Sequence, residues 1–359
     1  MYIATYAIDI AALFYLIWLL HSSTTLHPSR KIPLLATIVL TVIIILSEMG
    51  TVFTDNGSTG LRGINIFCNI LGFALTPLIP IAISLIFDRR ILGTHKFLLL
   101  PTLINIIATV LSPQLRLIFY VNADNQYIRG DYFFVFISVY IFNFLFLLIC
   151  TLDVGRKFNY PITGRMVILS LFTIIGTSIQ LIYPQAYSSW HCVTLSLFLY
   201  FLLLSEFDNS FDILTGLYNR IAFEKAAKKM EKAQAFSIIV LDIDDFKCIN
   251  DTYGHGCGDA AIKTVAEIVR QSFPRRFTCY RFGGDEFYII GNETDQEKIE
   301  SHLKAMTNAL TEMREKGNTL PTVSYGYSVF RGGEKPDFCK YLKEADDQMY
   351  RFKKIHKSK

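Results

Sequence analysis

Arg281-Phe282-Gly283-Gly284-Asp285-Glu286-Phe287 sets two adjacent carboxylates in a glycine turn between two short apolar runs, 278–282 and 287–290. Apolar runs flanking a glycine turn read as the arms of a β-hairpin. Backbone without Cβ atoms takes positive φ freely and lets a bulky anion approach closely. Adjacent acids on such a turn suit a divalent cation, although an acidic turn by itself is equally a solvated one. The residues around it decide between the two.

Upstream, Phe236 begins an apolar run fit for a central strand, which ends in Asp242-Ile243-Asp244-Asp245-Phe246-Lys247. An acid where a buried strand runs out, and two more on a neighbouring hairpin, concentrate like charge that a hard cation relieves. Lys247 opens a short turn where its ammonium can meet phosphate oxygens. The pattern from Asn219 onward is helix (221–232), strand (236–241), helix (260–273), hairpin, charged helix (295–316), strand (322–330) and helix (338–354). This order predicts an α/β unit.

The first half of the chain differs in kind. The whole is 52% hydrophobic and 18% charged with a mean hydropathy of +0.35, and the apolar excess lies before residue 206. A span needs about 20 apolar residues. Seven such windows fall near 2–20, 32–50, 64–87, 97–112, 132–152, 166–183 and 191–205, the fourth and seventh being the shortest. No basic residue precedes the first apolar core, so it reads as a span and not as a cleaved signal peptide. One set of alternate loops holds Arg30, Lys31, Arg89, Arg90, Lys96, Arg156, Lys157 and Arg165; the other holds only Arg62, Arg116 and Arg129. Basic loops stay cytoplasmic, which puts the N-terminus outside and the α/β unit inside.

Asp9 and Glu48 are ionisable at membrane depth, either as structural hydrogen-bonding groups or as the lining of an outward-facing ligand cavity. Pro77 and Pro80 are expected to kink the third span, and residues 119–128 to form a small hairpin in the longest outer loop. The expected division is a seven-helix transmembrane bundle over 1–205 and an α/β unit over 206–359, with 206–211 as a short linker without a coiled coil. Such a linker favours rigid-body reorientation. The seven cysteines show no CxxC pair or finger spacing, so free thiols are expected. A net charge of +4 without a basic stripe gives no case for nucleic-acid binding.

Five runs carry a family resemblance: DILTGLYNR from Asp212, DIDDFKCINDTYGHGCGD from Asp242, RFGGDEF from Arg281, TVSYGYS from Thr322 and ADDQMYRFKK from Ala345. Over residues 206–357 the chain resembles the GGDEF domains of diguanylate cyclases. The apolar half resembles, in topology, the seven-span sensory modules found before some bacterial kinases and cyclases. The resemblance implies a ferredoxin-like palm related to nucleotidyl cyclases, and condensation of two GTP into cyclic di-GMP with release of two pyrophosphates. It implies that Asp242, the Ile243 carbonyl, Asp285 and Glu286 hold Mg²⁺ or Mn²⁺, two ions per GTP site, with Asp242, Asp285 and Glu286 catalytic. Asn250 and Asp259 match the guanine readers; Phe246, Lys247, Lys353 and Lys357 match the triphosphate contacts.

The resemblance further implies a homodimer, because each domain carries half of a reaction site, and a bacterial inner-membrane location with the lipid bilayer and an outward ligand as partners. Lys357 stands where the family commonly has arginine, which loses a planar fork. The family's product-inhibition positions hold Pro274 and Phe277, with Arg275 and Arg276 displaced, so feedback through that site is not expected. The competing reading is a catalytically inactive domain that binds GTP or cyclic di-GMP. A transporter fits less well, since no inverted repeat is visible.

Overall fold

The computed structural model describes residues 2–55, 57–87, 96–158, 162–183, 186, 188–316, 320–333 and 335–357. The chain divides into two compact units, Met1–Asp208 and Asn209–Lys359.

The first unit is built from α1 (Tyr2–Ser22), α2 (Pro28–Thr54), α3 (Arg62–Leu75), α4 (Leu78–Phe87) and α5 (Leu100–Leu115). After these come the strands β1 (Phe119–Val121) and β2 (Tyr127–Arg129), then α6 (Phe133–Phe158), α7 (Ile162–Ile182) and α8 (Ser189–Asp208). A helix or helix pair lies at each of the seven apolar windows. Among the described residues, five helices are long and apolar enough to cross a bilayer, and α3 with α4 makes a sixth span if the pair is counted as one. At the sixth window α7 runs over Ile162–Ile182, and its stretch Gly164–Gln180 is apolar. Its hydroxyls bond to α8: Ser170 Oγ meets Tyr200 Oη at 2.9 Å, and Thr173 Oγ1 meets Ser196 Oγ at 2.7 Å. The fourth and seventh windows are longer than their apolar runs suggested.

The third span is bent by 43° between α3 and α4, where Pro77 and Pro80 lie. Carbonyls released at such a break need donors, because lipid supplies none. Asn143 Nδ2 donates to the Pro77 carbonyl at 2.7 Å, and Asn105 Nδ2 to the Phe73 carbonyl at 2.9 Å. The expected hairpin is also present, with β1 and β2 antiparallel. Arg89 and Arg90 lie outside the described residues, as do the side chains of Lys96, Arg156 and Lys157. The helix α8 runs three residues past the expected end at 205 because polar partners hold its last turn. Arg165 Nη1 reaches Glu206 at 3.2 Å, while Asp208 accepts from His27 N at 2.8 Å and pairs with Arg30 at 3.4 Å.

The second unit runs α9 (Arg220–Met230), β3 (Phe236–Ile243), α10 (Phe246–Tyr253), α11 (His255–Ser272), β4 (Phe277–Arg281) and β5 (Glu286–Gly291), then α12 (Gln296–Glu315), β6 (Val323–Phe330) and α13 (Phe338–Lys357). All neighbouring strands are antiparallel, in the order β4-β5-β3-β6. In this βαββαβ core the two strands that precede the crossover helices lie side by side, which is the ferredoxin-like arrangement. Every residue of β3 is buried, because helices cover both faces of the sheet. Ile239, Leu241 and Ile243 pack with Ile262 and Val265 of α11 and Leu303 of α12. Ile238 and Val240 pack with Phe223 of α9 and Met349 of α13. The continuous apolar run thus hides an alternation between two cores. The helix α11 begins five residues before the expected 260, since Gly256 and Gly258 masked its periodicity; Gly254, at φ +82°, separates it from α10.

Candidate active site

The alternation along β3 places Asp242 on the same face as Val240, the face that α13 covers. Antiparallel register sets Asp242 directly opposite Glu286, and Ile243 N donates to the Asp285 carbonyl at 3.2 Å. Three carboxylates from two segments therefore meet at one strand end. Lys353, on α13, donates its ammonium to Asp242 Oδ1. The neighbouring Asp244 is occupied by Thr322 Oγ1 at 2.7 Å and Ser324 Oγ at 2.6 Å, and so serves the fold.

The electrostatics reflect this crowding. Burial pushes the Asp242 carboxyl above its ordinary range, with Lys353 opposing and Asp285 and Asp244 adding to the rise. Burial and the charges of Asp242, Asp285 and Asp346 likewise raise Glu286. Burial acts to lower the Lys353 ammonium, but its pairing with Asp242 outweighs that and lifts it above its usual value.

Among the described residues no group of three or more His, Cys, Asp or Glu side chains is arranged as a metal centre. The donor chemistry nevertheless fits a hard divalent cation: three carboxylates and the Ile243 carbonyl are all oxygen donors. The Lys353 ammonium beside Asp242 already acts as a stand-in positive charge.

The turn that presents these acids is held from a distance. Arg281 donates through Nη1 to both Asp212 oxygens, at 3.0 and 3.2 Å, and through Nη2 to the Gly284 carbonyl at 2.9 Å. Asp212 also accepts from Thr215 N at 2.9 Å and Thr215 Oγ1 at 2.7 Å. Burial pushes the Asp212 carboxyl up, but Thr215 and Arg281 more than offset it and leave it below its ordinary value. The first and third sequence runs, far apart in the chain, are thus two halves of one support for the turn.

A second group lies on α10 and α11. Phe246 packs against the core, Lys247 is exposed, Asn250 is half-buried and Asp259 is exposed. Sequence reading assigned no role to Gly258, yet a Cβ there would overlap Asn250 Oδ1 and lie 3.2 Å from Phe246 Cζ. Its spacing from Asn250 on the two helices was the available signal. Gly258→Ala is expected to displace the Asn250 side chain and to destabilise the C-terminal unit by about 1 kcal/mol, as thermal unfolding will read. Lys357 ends α13, and its side chain lies outside the described residues.

The family model described as "Diguanylate cyclase, GGDEF domain" matches residues 209–359. An uncharacterized membrane protein of Staphylococcus epidermidis is 25% identical over 228 residues, 60% of each chain. An uncharacterized membrane protein of Staphylococcus aureus is 28% identical over 165 residues, 42% of this chain and 46% of the relative. These matches thus span 60% and 46% of the two relatives' lengths. Among solved structures, the GGDEF domain of DgcB from Caulobacter crescentus, in complex with c-di-GMP, is similar at 29% identity, covering 40% of this chain and 90% of that one with a TM-score of 0.37. The FimX GGDEF domain of Pseudomonas aeruginosa is similar at 16% identity, covering 41% and 94%, also with a TM-score of 0.37. Residues 209–359 of this membrane protein are a GGDEF domain.

Proposed function

We propose that the chain is a membrane-bound diguanylate cyclase that condenses two GTP into cyclic di-GMP and releases two pyrophosphates. The observation that carries this reading is the register pairing of Asp242 with Glu286, beside Asp285, with a lysine ammonium drawn into the same group. A binding-only domain has no need to crowd three carboxylates at one point, since like charges raise each other's cost of ionisation. Mg²⁺ or Mn²⁺, two per GTP site and held by Asp242, the Ile243 carbonyl, Asp285 and Glu286, supplies charge neutralisation at the α-phosphate and an acidified 3′-hydroxyl.

In this reading Asn250 and Asp259 present an amide and a carboxylate to the guanine edge. Phe246, Lys247, Lys353 and Lys357 take the triphosphate, Lys353 exchanging Asp242 for phosphate oxygens. Each domain brings half of the reacting pair, so a homodimer sets the 3′-hydroxyl of one GTP against the α-phosphorus of the other. The helical unit lies in the bacterial inner membrane with its N-terminus outside, and the α/β unit works in the cytoplasm under control of an outward ligand.

The test is nucleotide product from GTP and Mg²⁺ with the purified chain and with Asp285→Ala. The substitution is expected to lower product formation at least about a hundredfold; equal product from both sinks the enzyme reading and leaves a receptor. Phe277 is buried in the core at a position where product inhibition needs a polar group. Cyclic di-GMP added to the reaction is therefore expected to leave the initial rate unchanged, and strong inhibition abolished by changing Arg275 contradicts this.

A further inference from the structure

We propose that the helical unit contains a binding site for a small organic ammonium ion, in the cavity beneath the β1–β2 hairpin. This concerns the helical unit alone and stands whether or not the C-terminal unit turns over GTP. The cavity is about 460 Å³ and is lined from α2, α3, β2, α6, α7 and α8. That volume suits a small molecule.

Among the described lining residues, Glu48 and Asp55 are the acids and Arg129 is the cation. Arg129 is moreover already engaged: its guanidinium stacks 4.8 Å from the Phe133 ring centroid and lies beside the Tyr127 phenol. Glu48 has only neutral donors. Gln180 Nε2 reaches Oε1 at 3.0 Å, Trp190 Nε1 reaches Oε2 at 3.1 Å, and the Tyr6 hydroxyl lies 3.3 Å from Oε1. Asp9, the other acid expected at membrane depth, has a partner in His191 at 2.5 Å, and Glu48 has none of that kind among the described residues.

The same cavity is walled by aromatic rings. Phe73 and Phe136 meet edge to face at 5.0 Å, and Phe136 stacks on Tyr140 at 6.0 Å. With Trp190 they give the cavity an aromatic wall beside the Glu48 carboxylate, which its donors hold in place. Ring faces attract a cation, and a carboxylate fixed among neutral donors supplies its counter-charge. A neutral ligand gives the Glu48 carboxylate no counter-charge, and a carboxylate ligand repels it.

The probes are 2-phenylethylammonium, its neutral isostere 2-phenylethanol, and the zwitterion phenylalanine. They are titrated into the full chain in lipid nanodiscs, and binding is read from Trp190 fluorescence in a Trp18→Phe background, since the chain has two tryptophans. The ammonium ion is expected to bind saturably and at least about tenfold more tightly than the alcohol, with Glu48→Gln removing that preference. Equal affinity for the alcohol overturns the proposal, as does a preference that survives Glu48→Gln. Tighter binding of phenylalanine than of the amine overturns it in favour of a zwitterion site. Should Glu48→Gln not fold, the amine and alcohol comparison on the parent chain decides.

Discussion

Gly326→Ala is expected to destabilise the C-terminal unit by about 3 kcal/mol, the upper range for forcing an extra carbon into a packed core. Gly326 lies on β6 opposite Val240, and a Cβ there would overlap the Ala345 carbonyl oxygen and the Met349 amide nitrogen. Both are backbone atoms of α13, so no rotamer change relieves the clash. The helix must retreat as a body. In doing so it uncovers Ala345 and Met349, which are buried in the core, and draws Lys353 away from Asp242. Thermal unfolding and product formation should therefore fall together. Unchanged melting would mean that α13 does not pack as described.

Glu286→Gln is expected to show the reverse pairing, a more stable protein that turns over GTP about a hundredfold or more slowly. The carboxyl of Glu286 is raised by burial and by Asp242, Asp285 and Asp346, so the fold disfavours its ionised form. A raised carboxyl costs stability as pH climbs from the unfolded value, about 4.3, through the folded one. Glutamine has no such titration. The stability gain should therefore be largest at neutral and alkaline pH and shrink towards zero below the unfolded value, as thermal melts at several pH values will read. A gain that persists undiminished in acid would assign the effect to packing and not to charge.

The sequence displayed the chemistry of the site more fully than its support. Gly283 to Phe287 and the acid at the end of the 236–241 run are local patterns, and turns and buried strands are written locally. Partners distant in the chain are not. Asp212 and Arg281 were visible as residues of two separate runs, but nothing local says that one holds the other. Gly258 and Gly326 are similarly silent, because a glycine chosen for lack of space looks like any other until its neighbour is placed. The prolines of the third span announced its break, whereas the asparagines that satisfy it come from α5 and α6.

The longest helix among the described residues joins two features at opposite ends. A helix of 27 residues, as α2 is, extends about 40 Å at 1.5 Å per residue. Glu48, with its neutral donors, stands near one end, and His27 and Arg30 grip Asp208 in the last turn of α8 at the other. A tilt imposed at Glu48 would reach the end of α8 only through the turn that holds Pro33, which makes that proline the point where the two ends are joined or uncoupled.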